Sequence, residues 1–104
     1  MLVELTEDNL NDLIAQNERV VVQFGASWCG ACKLVKPKLN RIAGETEGVK
    51  FFYVDAEKFP NSRSITSIQN LPTFVGVVNG ELVAKETGSK MDNVKALIDE
   101  VTNN

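Results

Sequence analysis

Phe24-Gly25-Ala26-Ser27-Trp28-Cys29-Gly30-Ala31-Cys32-Lys33 is the stretch on which the reading of this chain turns. It follows an apolar β-branched run, Val20-Val21-Val22, and leads into residues with helical periodicity. It holds both cysteines and the single tryptophan of the protein. Two cysteines separated by two residues, where a buried strand gives way to a helix, form a redox arrangement. The bland alternative is a structural disulfide. Loop entropy gives only about 2 kcal/mol for so small a ring, a weak reason to keep one.

Composition narrows the field further. At 104 residues the chain is expected to form one domain over residues 1–104. Hydrophobic residues make up 43% and charged residues 24%, ordinary for a globular domain with its own core. The net charge of −3 argues against a nucleic-acid surface, which needs clustered Lys and Arg. No apolar run approaches the ~20 residues of a membrane span. An acidic Glu4 interrupts any signal-peptide pattern, so the expectation is a cytoplasmic protein whose thiols are kept reduced. Histidine is absent, which removes Cys-His catalysis and His-ligated metal. Two cysteines cannot close a four-ligand zinc site within one chain, which leaves only a four-Cys site shared between two chains, and no metal is expected.

Working outward, Leu2–Leu5 reads as a short strand. Thr6 offers an N-cap with Glu7 and Asp8 behind it, and Leu10, Leu13 and Ile14 give the stripe of a helix ending near Asn17. Arg19–Phe24 has almost no alternation, as befits a central strand covered on both faces. After the cysteines, Leu34, Val35, Leu39, Ile42 and Ala43 carry a helix to about Thr46, with Pro37 expected to kink it. Val49–Val54 is a second buried strand, and Asn61–Ile68 a weaker helix anchored by Ile65 and Ile68. Thr73–Val78 and Glu81–Glu86 flank Asn79-Gly80, a type I′ hairpin signal. Ser89 and Asp92 have capping-box spacing before a last helix with Met91, Val94, Leu97, Ile98 and Val101 on one face. Alternating β and α elements followed by a hairpin predict an α/β domain with a mixed sheet and helices on both faces.

These residues resemble the thioredoxin family. Trp28-Cys29-Gly30-Ala31-Cys32-Lys33 is similar to that family's active-site motif with one substitution, alanine for proline. Pro37 stands where the family kinks its active-site helix, and Leu71-Pro72-Thr73 resembles its cis-proline loop. Val78-Asn79-Gly80-Glu81 matches the hairpin, and Thr87-Gly88 the glycine turn beside the site. The landmarks come in the family's order across essentially the whole chain. The resemblance implies the thioredoxin fold, a central mixed five-stranded sheet flanked by four helices.

It also implies a protein-disulfide reductase, an electron carrier in cell redox homeostasis. Such a protein binds no cofactor, takes electrons from a thioredoxin-reductase-type donor, and works as a monomer on disulfide-containing proteins. Cys29 would be the nucleophile, its thiolate favoured by the helix N-terminus, and Cys32 the resolving thiol. Trp28 would pack over the site and limit access. With Gly30, Ala31, Leu71, Pro72, Thr87 and Gly88 it would form a shallow substrate-docking patch. Pro72, Gly30 and Ala31 would also tune the couple. Two rival readings are a thiol oxidase or isomerase with a more oxidising couple, and a binding subunit whose redox activity is dispensable. A glutaredoxin is disfavoured, because the paired glycines followed by aspartate of its glutathione site are absent near Thr87-Gly88-Ser89.

Four positions depart from the family. Gln23 stands where thioredoxins usually bury an aspartate as proton acceptor for the resolving thiol, and glutamine cannot titrate, so a slower resolving step is expected. Tyr53 lies near the place of that aspartate's lysine partner in many bacterial members, and Gly25 replaces a frequent aromatic. Ala31 removes a rigid constraint at the helix start. A redox titration against glutathione should therefore place this couple less reducing than ordinary thioredoxins. Every 30 mV of difference corresponds to about 1.4 kcal/mol, and a potential at or below theirs contradicts the expectation.

Overall fold

A computed structural model describes residues 1–104. In chain order the elements are β1 (Leu2–Glu4), α1 (Leu10–Gln16), β2 (Arg19–Gly25), α2 (Gly30–Glu45) and β3 (Lys50–Asp55). They continue with α3 (Pro60–Arg63), β4 (Thr73–Val78), β5 (Glu81–Thr87) and α4 (Met91–Thr102). One five-stranded sheet has the order β1-β3-β2-β4-β5. β3 is parallel to both β1 and β2, and β4 is antiparallel to β2 and to β5. The mixed sheet with four helices is the architecture expected of the thioredoxin fold.

β2 lies at the centre of the sheet, and Val20, Val21, Val22, Gln23 and Phe24 are all wholly buried. A strand alternates its side chains between faces, so a run without alternation requires cover on both. Val21 joins Phe51, Phe74, Val35, Leu39, Val94, Leu97 and Val101 in a core under α2 and α4. Val20, Val22 and Phe24 join Leu10, Val54, Phe59 and Val75 in a second core under α1 and α3. Gly76 allows α4 to close on the sheet, because a Cβ there would lie 2.3 Å from Val101 Cγ2. The hairpin is as predicted, with Asn79 at φ 50° and Gly80 at φ 83°. The β4–β5 register shifts between Gly76 and Val77, and Val83 is the residue left without a partner.

Three local expectations give way. Thr6 does not cap α1, which begins at Leu10 with Asn9 before it and no side-chain cap. The Leu10 N–H instead donates to Ser62 Oγ at 3.2 Å, while Asp8 accepts from the amides of Asn61 (3.0 Å) and Ser62 (2.6 Å) at the start of α3. The two helices thus cap each other across the fold. Ser89 is not the N-cap of α4 either; that position is Lys90, again without a side-chain bond. The Asn61–Ile68 helix shrinks to Pro60–Arg63. Ser64 Oγ donates back to Asn61 O, and the Arg63 guanidinium donates to Ala56 O and Ile68 O, which holds the following residues as a loop. Ile65 and Ile68 still pack against the second core.

Desolvation alone would raise the Asp8 pKa, but hydrogen bonds from the Ser62 hydroxyl and from the Asn61 and Ser62 amides outweigh it and hold the carboxyl below its ordinary 3.8. A group depressed in the folded state stabilises the fold above its unfolded pKa, and that stability disappears as pH falls through the folded value. Asp8→Asn should therefore lower the urea midpoint at neutral pH, and the gap from wild type should close as pH drops below about 4. A gap that stays constant with pH would show that the carboxylate charge does not matter there.

Candidate active site

The carboxyl end of β2, the start of β4 and the end of β5 meet at one edge of the sheet, with Phe24 opposite Thr73 and Thr73 opposite Thr87. In open α/β sheets, sites lie beyond the carboxyl ends of parallel strands, and here that end carries the cysteines. From β2 the chain turns through Ala26-Ser27-Trp28 to Cys29, the N-cap of α2. The Cys29 amide donates to Ala26 O at 3.1 Å, and Cys29 O accepts from Lys33 N at 3.2 Å. Cys29 and Cys32 form a disulfide with Cα atoms 5.3 Å apart. Cys29 Sγ also accepts the Cys32 N–H at 3.2 Å, one of the helix's free N-terminal amides. Cys29 is 5% exposed and Cys32 wholly buried, so Cys29 is the sulfur nearer solvent.

Around the pair, Ala26, Ala31 and Leu71 form a small apolar cluster. The Leu71–Pro72 peptide is cis, as the family resemblance implies. Pro72 O accepts the N–H of Gly88 at 2.9 Å, which ties the proline loop to the end of β5. Gly88 has φ 105°, a conformation that favours glycine. Buried Thr73 donates through Oγ1 to Asn70 O at 2.6 Å and fixes the loop from behind. The sequence-predicted positions Trp28, Gly30, Ala31, Leu71, Pro72, Thr87 and Gly88 thus all belong to segments that meet at this end of the sheet.

Two apolar side chains near the site are exposed. Trp28 is 65% exposed, so most of its indole faces solvent. Leu34, one of the apolar residues at helical spacing, is 70% exposed; the inward stripe of α2 is Cys32, Val35, Leu39 and Ala43. Leu34 lies three and four residues beyond Ala31 and Gly30, which puts it on the same helical face. It extends the apolar surface beside the cysteines, and only helical phase counted from buried Cys32 could have placed it there.

The Thioredoxin family model matches residues 1–100. The chain belongs to the thioredoxin family. It is 29% identical over 98 residues to Thioredoxin-3 of Dictyostelium discoideum, covering 94% of each chain. With mitochondrial Thioredoxin-3 of Saccharomyces cerevisiae it shares 34% identity over 88 residues, 85% of this chain and 65% of that protein. Among solved structures, the reduced thioredoxin pre-protein of Schistosoma mansoni superposes with a TM-score of 0.87 at 31% identity, covering 96% of this chain and 97% of the other. A disulfide-forming Cys-x-x-Cys pair in this family makes the chain a thiol-disulfide oxidoreductase that reduces protein disulfides by dithiol-disulfide exchange.

Three of the four family departures, Gln23, Tyr53 and Gly25, form one packed group behind the site. Gln23 pairs with Tyr53 across β2 and β3, both on the α2 face. A Cβ on Gly25 would lie 2.2 Å from Tyr53 Oη and 2.7 Å from Cζ, so the phenol fills the room that a side chain at 25 would need. Lys36 of α2 reaches over the Tyr53 ring, 4.2 Å from its centroid, and forms an ion pair with Glu4. A cation therefore does sit at this place, supplied by the helix and invisible to a strand-by-strand reading. Burial raises the Tyr53 pKa, and the charges of Glu4 and Asp55 raise it further, so the phenol is neutral at physiological pH. Gly25→Ala should cost about 1–3 kcal/mol by overpacking, measured by urea unfolding. In a Tyr53→Leu background the same change should cost much less, a coupling that a double-mutant cycle reads directly. Additive costs would show that the two positions do not share the space.

Proposed function

We propose that Cys29 is the nucleophile and Cys32 the resolving thiol of a cytoplasmic thioredoxin-type electron carrier. The observation that carries this reading is the asymmetry of the pair: Cys29 is at the helix N-terminus with its sulfur receiving an N–H, and Cys32 is sealed behind it. Amide hydrogen bonding and the helix dipole both favour a Cys29 thiolate. That thiolate attacks one sulfur of a substrate disulfide, and the substrate's other sulfur leaves and takes a proton from water. Cys32 then loses its proton, attacks Cys29 Sγ and releases the second substrate thiol. The Cys29–Cys32 disulfide closes, and two electrons have passed to the substrate.

Gly30, Ala31, Leu71, Pro72, Thr87 and Gly88, with the exposed indole of Trp28, serve as the docking surface for an extended substrate segment. Carbonyl and amide groups of the proline loop supply backbone pairing, and the apolar cluster supplies contact. A dithiol-bearing reductase returns the pair to the reduced state, with no bound cofactor needed for the exchange. A reducing compartment suits this cycle, and the cytoplasm is the one we infer. The net charge of −3 supports protein over nucleic-acid substrates. No helix is long and apolar enough to cross a membrane. The large exposed apolar side chains away from the site are few, Met1 and Val3 on one sheet edge and Leu82 on the other, which supports a monomer.

An insulin-type disulfide reduction assay tests the assignment. Cys29→Ser should abolish turnover, a loss of at least about a thousandfold for removal of a nucleophile. Cys32→Ser should accumulate substrate as a mixed disulfide through Cys29, visible as a reductant-sensitive adduct. Turnover that survives Cys29→Ser, or an adduct that forms through residue 32 instead, reverses the roles.

A further inference from the structure

Gln23 is wholly buried directly behind the cysteine pair. Its Nε2 donates to Cys32 O at 3.1 Å, which fixes the orientation of the amide and holds it against Cys32. Its Oε1 is the one buried side-chain oxygen or nitrogen without a hydrogen-bond partner. Buried polar groups are almost always paired, and an unmade bond in an apolar interior is costly. Val21, on the same face of β2, and Val35, on the buried stripe of α2 with Cys32, carry no donor, and the Tyr53 hydroxyl across on β3 makes no bond to Oε1. The disulfide form supplies none either, because its sulfurs bear no hydrogen.

Reduction changes this. Cys32 gains an S–H donor at a site with no exposure to solvent, and the thiol then needs an acceptor inside the protein. We propose that Gln23 Oε1 accepts the hydrogen bond of the Cys32 S–H group in the dithiol form, so that Gln23 stabilises the reduced protein over the disulfide. The inference rests on the reading of Cys29 and Cys32 as the redox pair. In the step concerned, one thiolate of a donor dithiol attacks Cys29 Sγ. The Cys29–Cys32 bond breaks, and Cys32 leaves as a thiolate. The donor's second sulfur then displaces Cys29 and closes the donor disulfide. The two protons given up by the donor thiols balance those taken by Cys29 and Cys32, and two electrons enter the chain. The Cys32 proton is the one that meets Oε1.

Favouring the dithiol makes the protein a weaker reductant. Gln23→Met keeps the length and an apolar fit but lacks a strong acceptor, so it should shift the equilibrium with glutathione toward the disulfide. The expected shift is about fivefold, or ~21 mV at 29.6 mV per tenfold change. In a Cys29→Ser chain Cys32 is the single thiol, and its infrared S–H stretch should lie at lower frequency with Gln23 than with Met at that position. In the unmutated chain the Gln23 side-chain carbonyl ¹³C resonance should move on reduction, a readout that needs no variant at position 23. An S–H band in the same place with either residue overturns the proposal, as does an equilibrium shifted by less than twofold. A water that satisfies Oε1 in both redox states would give that result. A wild-type chain that fails to reduce insulin would overturn the functional reading instead, so the two failures are distinguishable.

Discussion

The burial of β2 on both faces is the constraint on which the rest depends. Five consecutive residues, Val20 to Phe24, have no exposure, and each must find cover from a helix or a neighbouring strand. That requirement places β3 and β4 on either side, α2 and α4 above, and α1 and α3 below. It also settles where the chemistry sits. A strand held this rigidly delivers its carboxyl end to a fixed point, and α2 starts there with Cys29 as its cap. The proline loop reaches the same point because β4 runs antiparallel to β2 and begins where β2 ends. A mobile scaffold could hold neither the sulfur in line with the helix amides nor the loop beside it.

Reading from sequence succeeded where one segment carries its own signal. The β-branched run of β2, the Asn79-Gly80 turn and the stripe of α4 each specify their structure within a few residues, and each appears as expected. It failed where the partner is distant. Thr6 is a good local cap, but Leu10 finds its acceptor on Ser62, 52 residues away, and Asp8 reaches the start of α3. The Asn61–Ile68 segment has the anchors of a helix, yet Arg63 takes the carbonyl of Ile68 and ends it early. Tertiary bonds replaced local ones at the same energetic scale, so local pattern could not decide between them.

The site was legible to a similar depth. Cysteine spacing and the proline loop were visible at once, because each is encoded by adjacent residues. The exposure of Trp28 and Leu34 was not, since exposure depends on what packs nearby. Lys36 and Glu4 could not be found at all by motif, for they converge on Tyr53 from a helix and an edge strand.

The three departures behind the cysteines, met singly in the sequence, are one change in physical terms. A buried carboxylate at position 23 would need a cation nearby to offset its desolvation, and leaving either charge alone in the interior is strongly unfavourable. Glutamine removes that need, because it is neutral and anchors itself on Cys32 O. The strand position facing it is then free to be apolar and aromatic, and Tyr53 takes it. A tyrosine ring requires more room than the sheet face otherwise leaves, and Gly25 provides the room where its phenol lies. The ring's outer face remains, and Lys36 covers it with a charge that stays at the surface and is paired there with Glu4. Electrostatic cost has moved from the interior to a hydrated rim, where ion pairs cost little and contribute little. What stays inside is a single uncharged amide against Cys32, with its Nε2 on the Cys32 carbonyl and its Oε1 unpartnered.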